Sequence, residues 1–363
     1  FMQAFAKQQR CNPFVRELND NIPLILLLEV IKKLNADDEY NGAGISYKEI
    51  PLVIFWKDND AEALYQRIKL LRNEHRYNPS NEVIEDICVN EILGGFKRFK
   101  LKSIVAEYPD EFVRKMRMTG LISFRGGGRF IDINHNEDEK IDYILSHYAD
   151  YTKYATEREY FDYMATIDNA LFALRSVEIS KTAAAEKLIQ LIPDYPWDSI
   201  KTELSHLANK TSSSHNVLKF ISAPARLEFL TALAIKSKLP GVEVIPNYPC
   251  DDEGLPTSTA GGNNGDIECF ETTNSILVEV TMAEGRQQTM MEVWPISRHL
   301  EEFKNKYEYE DSQCVFVAPS IFADTKDQID WAKDRKQVVI RPYKIVDFIS
   351  YLDSATALYC ANL

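Results

Sequence analysis

The chain has 363 residues, 45% hydrophobic and 27% charged, with 42 basic against 55 acidic side chains and a formal net charge of −13. That length is too great for one typical compact domain, so two or three are expected, and the composition is that of an ordinary globular protein with a sizeable core. No apolar run reaches the roughly 18 to 20 residues of a membrane span. Phe1–Met2 leads into polar sequence, so no secretory leader is expected, and a chain opening on Phe is expected to be shortened at its N-terminus. The six cysteines, Cys11, Cys88, Cys250, Cys269, Cys314 and Cys360, are scattered and form no C-x-x-C pair. This excludes a zinc ribbon and a disulfide scaffold and points to free thiols in a reducing cytoplasm.

Helical patterns run over about Ile22–Leu34, Asp60–Glu74 and Glu82–Leu93. Between Phe96 and Arg129 the charge reverses. Nine basic residues (Lys97, Arg98, Lys100, Lys102, Arg114, Lys115, Arg117, Arg125 and Arg129) face three acidic ones (Glu107, Asp110 and Glu111). Aromatics interleave them in "GFKRFKLK". Such a stretch serves either as a solvated helix face or as a surface that neutralises phosphates and releases counterions. The local pattern favours the second. An amphipathic helix from about Pro109 to Thr119 stops at Gly120. Two alternating runs, "LISF" and "RFIDI", then flank Arg125–Gly126–Gly127–Gly128 as a β-hairpin. A helix followed by a two-stranded wing is the last part of a winged-helix module. Winged helices serve in DNA-binding and in protein-interaction domains, and DNA binding is the expectation here.

Helical segments follow in "DEKIDYILSHY", "AAAEKLIQLI" and "WDSIKTELSHLA". The loop "NKTSSSHN" then marks a boundary. "SAPARLEFLTALAIKSKLPG" reads as a largely buried helix with Ser222 as cap and Pro224 in its first turn. Glu228 lies among Leu227, Phe229 and Leu230, where an unpaired carboxylate is costly, so it needs a partner or a metal. The strand "VEVIPNY" and a turn-rich loop lead to a strand carrying Asp266. A further strand, "ILVEV", carries Glu279. A helix from about Arg286, the strand "CVFVAP", a helix near 326–335, the strand "VVIRPY" and a final helix complete an α/β sheet with helices on both faces. Two carboxylates at adjacent strand ends, with a third from a neighbouring helix, form a hard-oxygen site suited to Mg²⁺. Glu292 and His299 are seven residues apart, about 20° around a helix axis, with Pro295 between them as a potential kink.

The strand order and the pair Asp266 and Glu279 resemble the core of the PD-(D/E)xK nuclease superfamily. More narrowly, Ser222 to about Leu300 resembles the cleavage domain of AlwI-type type IIS restriction endonucleases, a group that includes site-specific nicking enzymes. Glu228, "DDEGLP", "GGNNGDIE", "LVEVT", Glu292 and His299 carry the likeness, and Phe112–Asn134 resembles the family's helix and wing more loosely. The resemblance implies that Asp266, Glu279 and the backbone carbonyl of Val280 bind the divalent metal. Glu228 and Glu292 would correspond to the family's two helix glutamates, with His299 beside them. Thr281 stands two residues after Glu279, where the superfamily motif has lysine; the narrower family also lacks that lysine. The fold expected is a mainly helical winged-helix DNA recognition region over 1–140, a helical linker over 141–214 and a PD-(D/E)xK-like α/β cleavage domain over 215–363. Its expected work is Mg²⁺-dependent hydrolysis of double-stranded DNA outside a recognition site. One such centre cuts one strand, so cutting both implies a second copy or a second nuclease subunit. A non-catalytic DNA-binding regulator with a decayed nuclease fold, and a structure-selective repair nuclease, are the competing readings.

Overall fold

The computed structural model describes residues 1–361 except Leu18, 96–98, Glu178, Asn263 and Glu308. The apolar run "PLILLLEVIKKLNA" forms helix α1 (Pro23–Ala36), with its proline in the first turn, where no helical hydrogen bond is lost. Leu24 to Leu28, Val30, Ile31 and Leu34 are all buried, as in a helix enclosed by its own domain. Strand β1 (Ile45–Ser46) follows. Helix α2 (Ala61–His75) is capped by Asp60, whose side chain accepts from the Ala63 amide at 2.9 Å. Helix α3 (Tyr108–Arg117) leads into strands β2 (Ile122–Arg125) and β3 (Phe130–Ile133). These pair antiparallel from Ile122↔Ile133 to Arg125↔Phe130. The turn between them uses Gly126, Gly127 and Gly128, all at positive φ, a conformation glycine adopts without steric cost. Strand β1 adds to β3, giving a three-stranded sheet in the order β1–β3–β2. Helix α4 (Asp138–His147) joins α2 and β3 in packing around α1.

The chain folds as two compact units. The first comprises Phe1–Glu178 with Asp251–Glu253, and the second Ile179–Cys250 with Gly254–Leu363. The stretch 141–214, expected as a linker, is thus divided at Ile179 between the two.

The second unit begins with helices α5 (Lys181–Leu191), α6 (Trp197–Ala208) and α7 (Ala223–Lys238). Ser222 occupies the N-cap position of α7, as expected, but its hydroxyl makes no capping hydrogen bond. A five-stranded mixed sheet follows: β4 (Glu243–Pro246), β5 (Ile267–Phe270), β6 (Asn274–Val280), β7 (Asp311–Ala318) and β8 (Ile340–Lys344), in that spatial order. The first three are antiparallel, and β6, β7 and β8 are parallel. Helices α8 (Gly285–Met291) and α9 (Val293–Lys306) connect β6 to β7, α10 (Ala323–Lys336) connects β7 to β8, and α11 (Ile345–Ser354) follows β8. Leu277, Cys314, Phe316, Ala318 and Ile340 form one core with Val293, Ile296, Leu300 and Phe303 of α9 and Ile329 of α10. Helices α7 and α11 pack on the other face. Parallel strands covered on both faces read as unbroken apolar runs, which is why "CVFVA" is apolar throughout. All six cysteines are free thiols. No described helix is long and apolar enough to cross a membrane.

Candidate active site

Antiparallel pairing of β5 with β6 sets Ile267 opposite Val278. The residue before β5 and the last residues of β6 therefore meet at one end of the sheet. There the Asp266 carboxylate accepts from the Val280 amide at 2.8 Å. Gly265 permits this approach: a Cβ at that position would fall 2.3 Å from Leu277 Cδ1 and 3.0 Å from Glu279 Oε1. Glu279 pairs in register with Phe316, on the sheet face that α9 covers. It is 7% exposed. His299 of α9 lies against it, with Nδ1 2.9 Å from Glu279 Oε1 and Nε2 3.3 Å from the Gly262 carbonyl. Both ring nitrogens face acceptors, which favours the doubly protonated imidazolium.

Glu228, on the buried helix α7, is 4% exposed and accepts from the Ala260 amide at 2.8 Å. Glu292 occupies the break between α8 and α9. Pro295 therefore lies in the first turn of α9, where its missing N–H is harmless, and does not kink a continuous helix. Glu292 accepts from the Thr281 hydroxyl at 2.9 Å. Sequence reasoning saw Thr281 only as a missing lysine and overlooked this bond. It also overlooked Gln288, which is fully buried. Gln288 donates to the carbonyls of Ala283 (3.0 Å) and Ser320 (2.8 Å) and accepts from the Phe322 amide (3.0 Å).

The electrostatics tie these carboxyls together. Burial, then repulsion from Glu279, Glu228 and Glu292, raises the Asp266 pKa well above the ordinary range. Burial raises Glu279, against the hydrogen bond from His299 and one from the Asp266 carboxyl. Burial and Glu279 push Glu228 up to about 7, and burial with Glu279 raises Glu292. The bond to Glu279 raises His299. None of the four carboxyls draws on a lysine or arginine among the described residues. As the side chains stand, no group of three or more His, Cys, Asp or Glu among the described residues closes into a metal-ligating set. The donors are nonetheless of the right kind: several mutually repelling carboxyl oxygens, half-buried or buried, without a cationic partner beyond one imidazole. That chemistry fits a hard divalent cation.

The basic residues expected to meet DNA divide sharply. Lys97 and Arg98 lie outside the described residues. Lys100, Arg114, Lys115 and Arg129 are exposed, and Lys115 pairs with Glu111 at 2.6 Å. Arg117 is 3% exposed and forms an ion pair with Asp251 at 2.7 Å. It also donates to the Ile122 carbonyl. Arg125 is half-buried among Asp252 (2.5 Å), Glu253 (3.2 Å) and Asp132 (3.5 Å). The expectation that these two arginines face DNA is corrected. Within the first unit Asp251, Asp252 and Glu253, more than a hundred positions away in sequence, join nearby Asp132 in neutralising them, which local charge counting cannot see.

Among curated proteins, none matches this chain. Among solved structures, the chain is similar to the small subunit (R.BspD6I2) of the heterodimeric restriction endonuclease R.BspD6I. The two share 23% identity over 46% of this chain and 83% of that one, with a TM-score of 0.37. The family model described as AlwI restriction endonuclease matches residues 1–192 and 175–350. Matches that run over nearly the whole length show that the chain belongs to the AlwI restriction endonuclease family.

Proposed function

We propose that this member of a restriction endonuclease family is a site-specific, Mg²⁺-dependent endonuclease of type IIS or nicking character, built on a PD-(D/E)xK core. The observation that carries the reading is the cluster of Glu228, Asp266, Glu279 and Glu292 at one end of the mixed sheet, mutually repelling and lacking a lysine or arginine partner among the described residues. The Asp266 and Glu279 carboxylates and the Val280 carbonyl would hold the cation, with Glu228 as a further oxygen donor. A bound Mg²⁺ supplies charge neutralisation on the scissile phosphate and a more acidic water. The Val280 amide holds Asp266 and the imidazolium of His299 holds Glu279, so both carboxylates are oriented before any ligand arrives. Glu292, with its raised pKa, is placed to take up or release a proton at a carboxyl oxygen beside them.

In the first unit, α3 and the β2–β3 hairpin form the wing of a winged-helix recognition module, with Lys100, Arg114, Lys115 and Arg129 as its phosphate- and base-contacting side chains. Cleavage then falls outside the recognised sequence, because reading and cutting reside in different units. One centre acts on one strand, so double-strand cutting calls for a second nuclease copy or subunit.

The test is digestion of a sequenced plasmid with Mg²⁺, mapping ends on each strand, for the wild type and for Asp266→Ala and Glu279→Ala. Ends at a fixed distance from one short sequence are expected, with cleavage lost in both variants and in chelator while DNA binding persists. Full activity of either variant in Mg²⁺ would remove the metal-site assignment.

A further inference from the structure

We infer that Thr281 is the positioning residue of the cleavage site: its hydroxyl aims Glu292 toward the Asp266–Glu279 pair. This rests on the active-site reading above and adds a residue that the reading does not include. Glu292 needs such a guide. It sits at the break between α8 and α9 with no side-chain capping bond, and its backbone amide is held by the Gln288 carbonyl at 3.1 Å. Its long side chain would otherwise sample several rotamers.

Thr281 is fixed more firmly than a loop residue usually is. Its amide donates to the Val317 carbonyl at 3.0 Å, extending the β6–β7 pairing one step past Val280. Its Oγ1 accepts from the Ala283 amide at 3.0 Å and donates to Glu292 Oε1 at 2.9 Å. A hydroxyl has one proton. With the Ala283 N–H occupying a lone pair, that proton is directed to Glu292. Branching at Cβ restricts χ1, so the direction holds. The loop carrying Ala283 is itself clamped, because Gln288 bonds the Ala283 carbonyl on one side and the Ser320 carbonyl and Phe322 amide on the other. A continuous run of satisfied hydrogen bonds therefore leads from the loop after β7, through Gln288 and Thr281, to Glu292. Glu292 Oε2 has no protein partner among the described residues, and the charge of Glu292 is felt at Asp266. Thr281 touches Glu292 and not the reacting atoms, so its part is orientation.

The experiment compares Thr281→Val, which keeps the shape and removes the hydroxyl, with Thr281→Ser, which keeps the hydroxyl. Single-turnover cleavage in Mg²⁺ and DNA affinity in Ca²⁺ are measured for each, alone and combined with Glu292→Gln. Thr281→Val should cut about 10- to 100-fold more slowly, the worth of one hydrogen bond to a charged group, with DNA affinity unchanged. Thr281→Ser should restore most of the rate. In the Glu292→Gln background Thr281→Val should add little, because the two act as one unit. Wild-type cutting by Thr281→Val while Glu292→Gln is impaired overturns this inference alone, as do fully multiplicative effects of the two changes. Wild-type cutting by Glu292→Gln overturns this inference together with the assignment of Glu292.

Discussion

Glu228 shows how much one buried carboxyl discloses. A helix with nearly every neighbour apolar has no structural need for it, and its single hydrogen bond among the described residues, from the Ala260 amide, leaves most of its charge unsatisfied. Glu228→Gln keeps the shape and an oxygen for the Ala260 amide but removes the charge. The cleavage rate should fall by about 10²-fold or more, as when a preorganised charge is lost, while thermal unfolding of the metal-free protein is unchanged or shifted upward. A wild-type rate would show that this carboxyl is purely structural. Arg117 and Arg129 make the opposite contrast. Arg117→Ala breaks the buried ion pair with Asp251, and such losses cost about 3–5 kcal/mol; urea unfolding measures it. Arg129 is exposed. Arg129→Ala should leave stability alone and reduce the salt dependence of DNA binding by about one counterion. Equal salt slopes for variant and wild type would take Arg129 off the DNA-facing surface.

Gly265 carries the corresponding argument for an element. The entry into β5 passes so close to β6 that a methyl group would collide with the buried Leu277 side chain and press on the Glu279 carboxylate. Gly265→Ala should therefore cost cleavage by moving Asp266 relative to Val280, while far-ultraviolet circular dichroism retains the mixed sheet. An unimpaired alanine variant would mean that this strand entry has room to shift. Much of the element order was legible. Helices expected at Ile22–Leu34 and Asp60–Glu74 stand at Pro23–Ala36 and Ala61–His75, and the hairpin at Ile122–Ile133 falls where the glycine run predicts. These features rest on local periodicity and turn chemistry. Strand β1 escaped because two residues carry no alternation to read. The carboxyl positions in the candidate site were legible as charges in apolar surroundings. Their partners were not: the Thr281, Ala260 and Gly262 contacts depend on where loops return in space, and no spacing in the sequence encodes that.

For the whole molecule, pH is the informative variable. Glu228, Asp266, Glu279, Glu292 and His299 all have raised pKa values in the fold. A raised folded pKa contributes stability that is complete below the unfolded value, about 4 for carboxyls and about 6.5 for histidine. That stability is lost as pH climbs through the folded value. For Glu228 that value is about 7. The melting temperature of the metal-free protein should therefore fall between about pH 6 and pH 8, and Mg²⁺ should restore it at the upper end by binding the folded state. Half-buried His215 has a lowered pKa and works in the other direction, so the comparison is with Glu279→Gln, in which the slope should flatten. An identical slope in that variant would dissociate the effect from the carboxyl cluster. A different consequence follows from Asp251–Glu253, which belong to the first unit although the chain on either side of them belongs to the second. The two units are therefore not successive segments of the chain. A chimera spliced at Ile179, joining residues 1–178 to a foreign second unit, would leave behind the acidic triplet that faces Arg117 and Arg125. The transplanted first unit would then lose the Asp251 partner of buried Arg117 and two of the three carboxylates around Arg125, keeping only Asp132 beside it. Exchange of the second unit, by an engineer or by recombination, therefore has to carry the 251–253 loop along with the first unit it completes.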